Sequence, residues 1–208
     1  MKITWPNRIS IMRVLLIAPF VAFMIKKNDP ALSDLQQNLF RYAAILTFIV
    51  MAFSDMVDGF LARRYNMASR LGAFLDPMAD KLLMTCSTLL LSIPYTAINS
   101  FVLPPTVVVL IIGKDLFLLM GFLVVYFTTL NVHVKPVYIG KIATALQLVM
   151  VSGILIAPEI SKLIPFWIWI LRATWWSAAG TAITATLIYA RHGSRMVQEH
   201  ERKQMKKK

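Results

Sequence analysis

The chain is poor in cysteine and in acidic side chains. Its single cysteine, Cys86, lies in an apolar run, so no intrachain disulfide is possible and the residue reads as a small buried hydrophobe. Asp and Glu number 10 against 22 Lys and Arg, and charged residues of both signs make up 15% of the 208 residues. Soluble domains carry about a quarter. With 58% hydrophobic residues and a mean hydropathy of +0.65, an ordinary soluble domain is excluded. Alternating apolar segments are missing, which removes strands. Internal repeats and low-complexity segments are missing too, so the chain reads as one domain. A small-residue cleavage site is also missing. Lys26-Lys27 follow the first apolar stretch at once, so that stretch is expected to be a retained span and not a signal peptide.

What is present is a series of long apolar runs. A bilayer core of about 30 Å takes roughly 20 residues of helix. Six segments meet this: 9–26, 38–64, 72–95, 103–130, 138–157 and 164–190. Asp29-Pro30, Pro104-Pro105, Pro136, Pro158 and Pro165 mark the breaks between them. The expected fold is all-α, an integral membrane bundle of six transmembrane helices over 1–190 with a basic tail over 191–208. Lys and Arg collect at the N-terminus, at 63–70, at 131–141 and in the tail, where seven basic residues from Arg191 to Lys208 face only Glu199 and Glu201. The 96–102 loop has no charge, and 158–163 has only Glu159 and Lys162. This asymmetry places both termini in the cytoplasm and the tail on anionic headgroups. Nucleic acid is not an expected partner, because the basic residues flank spans and do not form a soluble patch.

Four of the scarce acidic residues fall in 26 positions, DMVDGFLARRYNMASRLGAFLDPMAD, residues 55–80. Residues three or four apart share a helix face, so Asp55 pairs with Asp58 and Asp76 with Asp80. A short return between the second and third spans lets the two faces meet near one membrane surface. Four carboxylates in low dielectric repel one another severely. Arg63 answers for one charge at most. Hard divalent cations take carboxylate and phosphate oxygens, so two ions completed by a diphosphate would balance the charge, the arrangement of two-metal phosphoryl displacement. Gly59 and Ala62 leave a bare helix face beside Asp58, Gly72 sits where the third helix begins, and Arg63 offers a fork of donors suited to phosphate. Structural ion pairing, or a proton or cation path, is the competing reading of any single aspartate. An EF-hand is excluded, because the aspartates do not alternate along a 12-residue loop.

The pattern D-x2-D-G-x2-A-R-x8-G-x3-D-x3-D, met here by Asp55, Asp58, Gly59, Ala62, Arg63, Gly72, Asp76 and Asp80, resembles the signature of the CDP-alcohol phosphotransferase family. Pro6-Asn7 followed by Arg13, and KPVYIGKIATALQ at the fifth span, extend the resemblance along the chain. It implies an integral membrane enzyme that moves a phosphate-containing group from a CDP-linked donor to an alcohol and releases CMP, using Mg²⁺ or Mn²⁺. By the same resemblance Asp55, Asp58 and Asp76 would be metal ligands. Asp80 would be the general base and would also touch a metal; Gly59, Ala62, Arg63 and Gly72 would border the donor nucleotide. A homodimer, a site facing the cytoplasm and residence in the inner or cell membrane are further implications.

The surroundings resemble the glycerol-headgroup branch. The expected reaction moves the phosphatidyl group of CDP-diacylglycerol to glycerol 3-phosphate, giving phosphatidylglycerophosphate. Cardiolipin synthesis from phosphatidylglycerol is the alternative, then an inositol-type acceptor. Arg70, Lys114, Lys135 and Lys141 form a candidate cationic pocket for the acceptor. Lys114 and Asp115 equally suit an ion pair, and Lys141 equally suits snorkelling to the interface. The pair stands where many phosphatidylglycerophosphate synthases carry Arg-Glu, and a basic residue followed by Asp is nearer the cardiolipin pattern. Outside this class, a cation or proton transporter using the same aspartates would show flux without any CDP-lipid. A membrane scaffold would tolerate loss of all four aspartates.

Overall fold

In the computed structural model the backbone is described for residues 5–65, 70–98, 101–129 and 138–205, and side chains for 9–54, 78–98, 101–121 and 138–191. Among these residues the chain is all-helical: α1 (Trp5–Lys26), α2 (Asp34–Tyr65), α3 (Arg70–Ser92), α4 (Pro105–Thr129), α5 (Tyr138–Leu155), α6 (Ala157–Leu163) and α7 (Trp167–Met205). An isolated bridge joins Ile98 and Phe101. Among the described residues three stretches are long and apolar enough to cross a bilayer: 9–26, 34–54 and 138–155.

Local chemistry explains the boundaries. Ser33 precedes α2, and its backbone N–H and hydroxyl both donate to Gln36 Oε1 at 3.1 Å, the glutamine half of a capping box, which satisfies a donor the helix cannot. Proline at the first position opens α4, where its missing N–H costs nothing. The expected loop at 158–163 is instead the short helix α6. Pro158 sits in its first turn with Glu159, and Lys162 in its last, so proline starts this helix and the charges oppose its dipole ends. Beyond its apolar part α7 runs on without a break past 190, through the polar segment, to Met205.

The chain divides into two compact units. The first holds Met1–Leu103 and Val151–Pro165, the second Pro104–Met150 and Phe166–Lys208.

In the first unit α1 packs against both α2 and α3. The buried face of α1 reads Ser10, Arg13, Ile17, Phe20 and Met24, and Lys27 just past its end continues it, alternating three- and four-residue steps, the seam of one helix lying along others. Ala44, Phe48 and Met51 do the same for α2, and Leu83, Ser87 and Leu90 for α3. Phe20 and Phe48 rings meet at 6.0 Å between centroids, and Phe23 and Phe40 at 6.1 Å, so α1 and α2 run antiparallel. Against lipid such helices gain little from the hydrophobic effect and associate by close packing. Buried hydroxyls are satisfied within their own helix: Ser87 and Thr88 donate to the carbonyls of Leu83 and Met84 at 2.7 and 2.8 Å.

The end of this unit where α1 stops is tied by polar contacts. Lys27 Nζ donates to the Ala97 carbonyl at 2.6 Å, and Asn28 Nδ2 donates to the Tyr95 carbonyl at 2.6 Å. Burial, then the nearby Arg41 charge, lower the Lys27 pKa to about 8. Arg41 pairs with Glu159 of α6, and the Tyr42 hydroxyl donates to the same carboxylate at 3.2 Å.

In the second unit α4 packs against α7. The buried face of α7 is small, Ala178, Ala179, Ala182 and Ala185 below Leu171 and Trp175, which permits a close approach of backbones. Gly140 on α5 leaves room for a side chain of α7: a methyl group there would stand 2.7 Å from Tyr189 Oη.

Candidate functional site

The structure puts the aspartate motif on two helix ends. Asp55, Asp58, Gly59, Ala62 and Arg63 occupy the last three turns of α2; Arg70, Gly72, Asp76 and Asp80 occupy the first three turns of α3. Apart from Asp80, the side chains of these nine residues lie outside the described set. Lys135 lies wholly outside it. Asp80 is half-buried, next to fully buried Ala79. Among the described residues no three His, Cys, Asp or Glu side chains stand close enough to hold a metal; three of the motif's four aspartates are not in that set.

Helical register carries the description further. From the buried positions 44, 48 and 51 of α2, the same three-and-four stepping arrives at 55, 58 and 62. Running backward from the buried positions 90, 87 and 83 of α3, it arrives at 80 and 76. By helix register alone, positions 55 and 58, and 76 and 80, fall on the continuation of these steps. A rise of 1.5 Å per residue separates 55 from 58 by about 4.5 Å along the axis and 76 from 80 by about 6 Å.

The third helix of the unit contributes a residue to which the sequence reading gave no role. Arg13, on the seam of α1, is 1% exposed, and its Nε donates to Ser54 Oγ at 3.4 Å. Ser54, the residue before Asp55, donates onward to the Met51 carbonyl at 2.8 Å. Ser10, one turn earlier on the same seam, is completely buried. The seams of α1 and α2 are apolar from Ile17 to Met24 and from Ala44 to Met51, and become polar together where the motif begins. The signal was available in the spacing of Ser10 and Arg13 with Ile17, Phe20 and Met24.

Of the proposed acceptor residues, the side chains of Lys114 and Lys141 are described. Lys114 and Asp115, on α4, are buried at 2% and 4% exposure and pair at 3.1 Å; of the two readings, this is the ion-pair geometry. Lys141, on α5, is exposed. Gln147, the last residue of the KPVYIGKIATALQ segment, is buried at 1% exposure, and neither of its amide atoms has a hydrogen-bond partner among the described residues.

The profile of one family, CDP-alcohol phosphatidyltransferase, matches residues 3–183, and the chain belongs to that family. Its relatives divide by acceptor. Cardiolipin synthase (CMP-forming) of Homo sapiens is 30% identical over 211 residues, covering 94% of this chain and 63% of that protein. The CDP-diacylglycerol–glycerol-3-phosphate 3-phosphatidyltransferase of Bacillus subtilis (strain 168) is 32% identical over 154 residues, covering 73% of this chain and 76% of that protein. A cardiolipin synthase (CMP-forming) / mitochondrial hydrolase fusion protein of Schizosaccharomyces pombe is 33% identical over 170 residues, 74% of this chain and 26% of its own length. The chain therefore spans less than two thirds of the human and fission-yeast proteins.

Proposed function

We propose that the protein is a CDP-diacylglycerol-dependent phosphatidyltransferase of phospholipid synthesis. It would span the membrane six times, with both termini and the site on the cytoplasmic side of the inner or cell membrane, and work as a homodimer. The observation that carries the reading is the unbroken eight-position motif on two helix ends, with both aspartate pairs in the continuation of buried seams.

Asp80, half-buried and so reachable from the site, accepts the proton of the acceptor hydroxyl as its oxygen attacks the β-phosphorus of the donor. The bond from that phosphorus to the CMP oxygen breaks, and the phosphatidyl group stays in the membrane. Gly59, Ala62 and Gly72 leave room for the nucleotide to approach the helix backbones, and Arg63 orients its phosphates. Asp55, Asp58, Asp76 and Asp80 are a hard oxygen donor set that fits two Mg²⁺ or Mn²⁺ ions, which when bound offset charge on the diphosphate. The exposed Lys141, together with Arg70 and Lys135, belongs to the acceptor side of this reading, and Lys114 stays with its ion pair to Asp115.

Glycerol 3-phosphate stands first as acceptor, because the Bacillus subtilis enzyme that uses it matches this chain over most of both lengths. Phosphatidylglycerol stands second, favoured by the Lys-Asp pair on α4 and by the human cardiolipin synthase, whose match takes in nearly the whole chain. Purified protein with CDP-diacylglycerol, Mg²⁺ and each acceptor in turn tests both. CMP release with glycerol 3-phosphate alone fits the first, release with phosphatidylglycerol alone fits the second, and release with neither removes both.

A further inference from the structure

We propose that Arg13 is a positioning residue for the aspartate site: its buried guanidinium is the built-in countercharge of the motif and lowers the affinity of the site for divalent cations. The inference rests on the reading of the aspartates as a metal-holding set.

Three observations carry it. First, Arg13 is 1% exposed on a seam whose next buried positions are Ile17, Phe20 and Met24. A charge so enclosed needs compensation by opposite charge, because its desolvation is not recovered from apolar neighbours. Second, the contact of Arg13 Nε with Ser54 Oγ at 3.4 Å sets the level of the guanidinium on α2. Asp55 follows Ser54 directly, and Asp58 is one turn further, four residues on and therefore on the Ser54 face. The Phe20–Phe48 contact gives α1 and α2 the same antiparallel register, with residue numbers summing to 68 where the Arg13–Ser54 contact sums to 67. Third, the seam positions of α3 that arrive at this end of the unit are 80 and 76, the other carboxylate pair, and α1 packs against α3 as well as α2. A positive charge held there stabilises four clustered carboxylates when no metal is present. It also repels an entering cation, which keeps metal binding weak enough to respond to substrate.

The test is a Mn²⁺ titration of detergent-purified full-length protein, without any lipid substrate, read by thermal unfolding. Wild type, Arg13→Met, Arg13→Lys and Ser54→Ala are compared. The proposal expects Arg13→Met to melt lower without metal, to gain more from Mn²⁺ than wild type does, and to reach half-saturation at least about tenfold lower in Mn²⁺, since a like charge has been removed at close range in a medium of effective dielectric about 20. Arg13→Lys and Ser54→Ala, which keep the charge, should stay within about twofold of wild type. A purely structural Arg13 would lower the melting temperature while leaving half-saturation unchanged, and that result overturns the proposal. If Arg13→Met does not fold, Arg13→Met/Asp55→Asn decides. Recovery of folded protein supports charge compensation, whereas failure of the double variant where Asp55→Asn alone folds overturns it. A wild type that Mn²⁺ does not stabilise refutes the metal-site reading itself, and the proposal with it.

Discussion

Replacing Gly140 by alanine sets two effects of opposite sign against each other, and the geometry decides between them. Alanine is favoured over glycine inside a helix by about 1 kcal/mol, so at an open position on α5 the change would stabilise. At Gly140 the added methyl would lie 2.7 Å from Tyr189 Oη, 3.3 Å from Cε2 and 3.4 Å from Cζ. The first distance is shorter than carbon and oxygen tolerate. The ring must move, and overpacking of this kind costs about 1 to 3 kcal/mol. The expected net effect is a loss of about 1 kcal/mol, a fall of a few degrees in melting temperature for a chain of this size. In a Tyr189→Phe background the 2.7 Å contact disappears and the tight carbon contact at 3.3 Å remains, so Gly140→Ala should become neutral within about 0.5 kcal/mol. Thermal unfolding of the four proteins in one detergent, followed by tryptophan fluorescence, closes the cycle. A Gly140→Ala protein as stable as wild type in both backgrounds would refute the packing argument and detach α5 from α7 at this point.

Three further outcomes concern charge. The folded-state pKa of Lys27 is depressed to about 8, so the unfolded chain binds the proton more tightly and stability should rise with pH between about 8 and 10.5, by at most about 1.4 kcal/mol per unit. Lys27→Met should flatten that part of a stability-against-pH curve, and an unchanged slope would show that Lys27 is not its source. Glu159→Gln removes the anion that Arg41 and Tyr42 share; a partly buried pair of this kind predicts a loss of about 1 kcal/mol and a weaker dependence of melting temperature on salt. Removal of divalent cations by chelation should abolish CMP release, with recovery on adding Mg²⁺ or Mn²⁺.

Much of the helical layout was legible because length and apolarity alone set it. The six expected spans start and stop within four residues of α1 to α5 and of the start of α7. Proline misled at Pro158, which was read as a break in a loop but begins α6, since at a helix's first turn it breaks nothing. The end of α7 was hidden because a basic composition marks the membrane edge, and helix continuity does not depend on it. At the site, the four aspartates and their pairing by spacing were readable without structure. Arg13 was visible in the N-terminal pattern but carried no role, because its meaning depends on Ser54, 41 residues away, and on a register that only packing supplies. Lys114 and Asp115 showed the converse: the sequence left an acceptor role and an ion pair level, and their burial and 3.1 Å separation describe the pair.

The most direct measurement is CMP release from CDP-diacylglycerol by four single variants, Asp55→Asn, Asp58→Asn, Asp76→Asn and Asp80→Asn, each checked for a wild-type elution profile and melting transition. The account predicts that every one loses at least about a thousandfold in rate, as expected where a general base or a charge-stabilising site is removed, while remaining folded. Folded variants that keep most of the wild-type rate at two or more of these positions would contradict it.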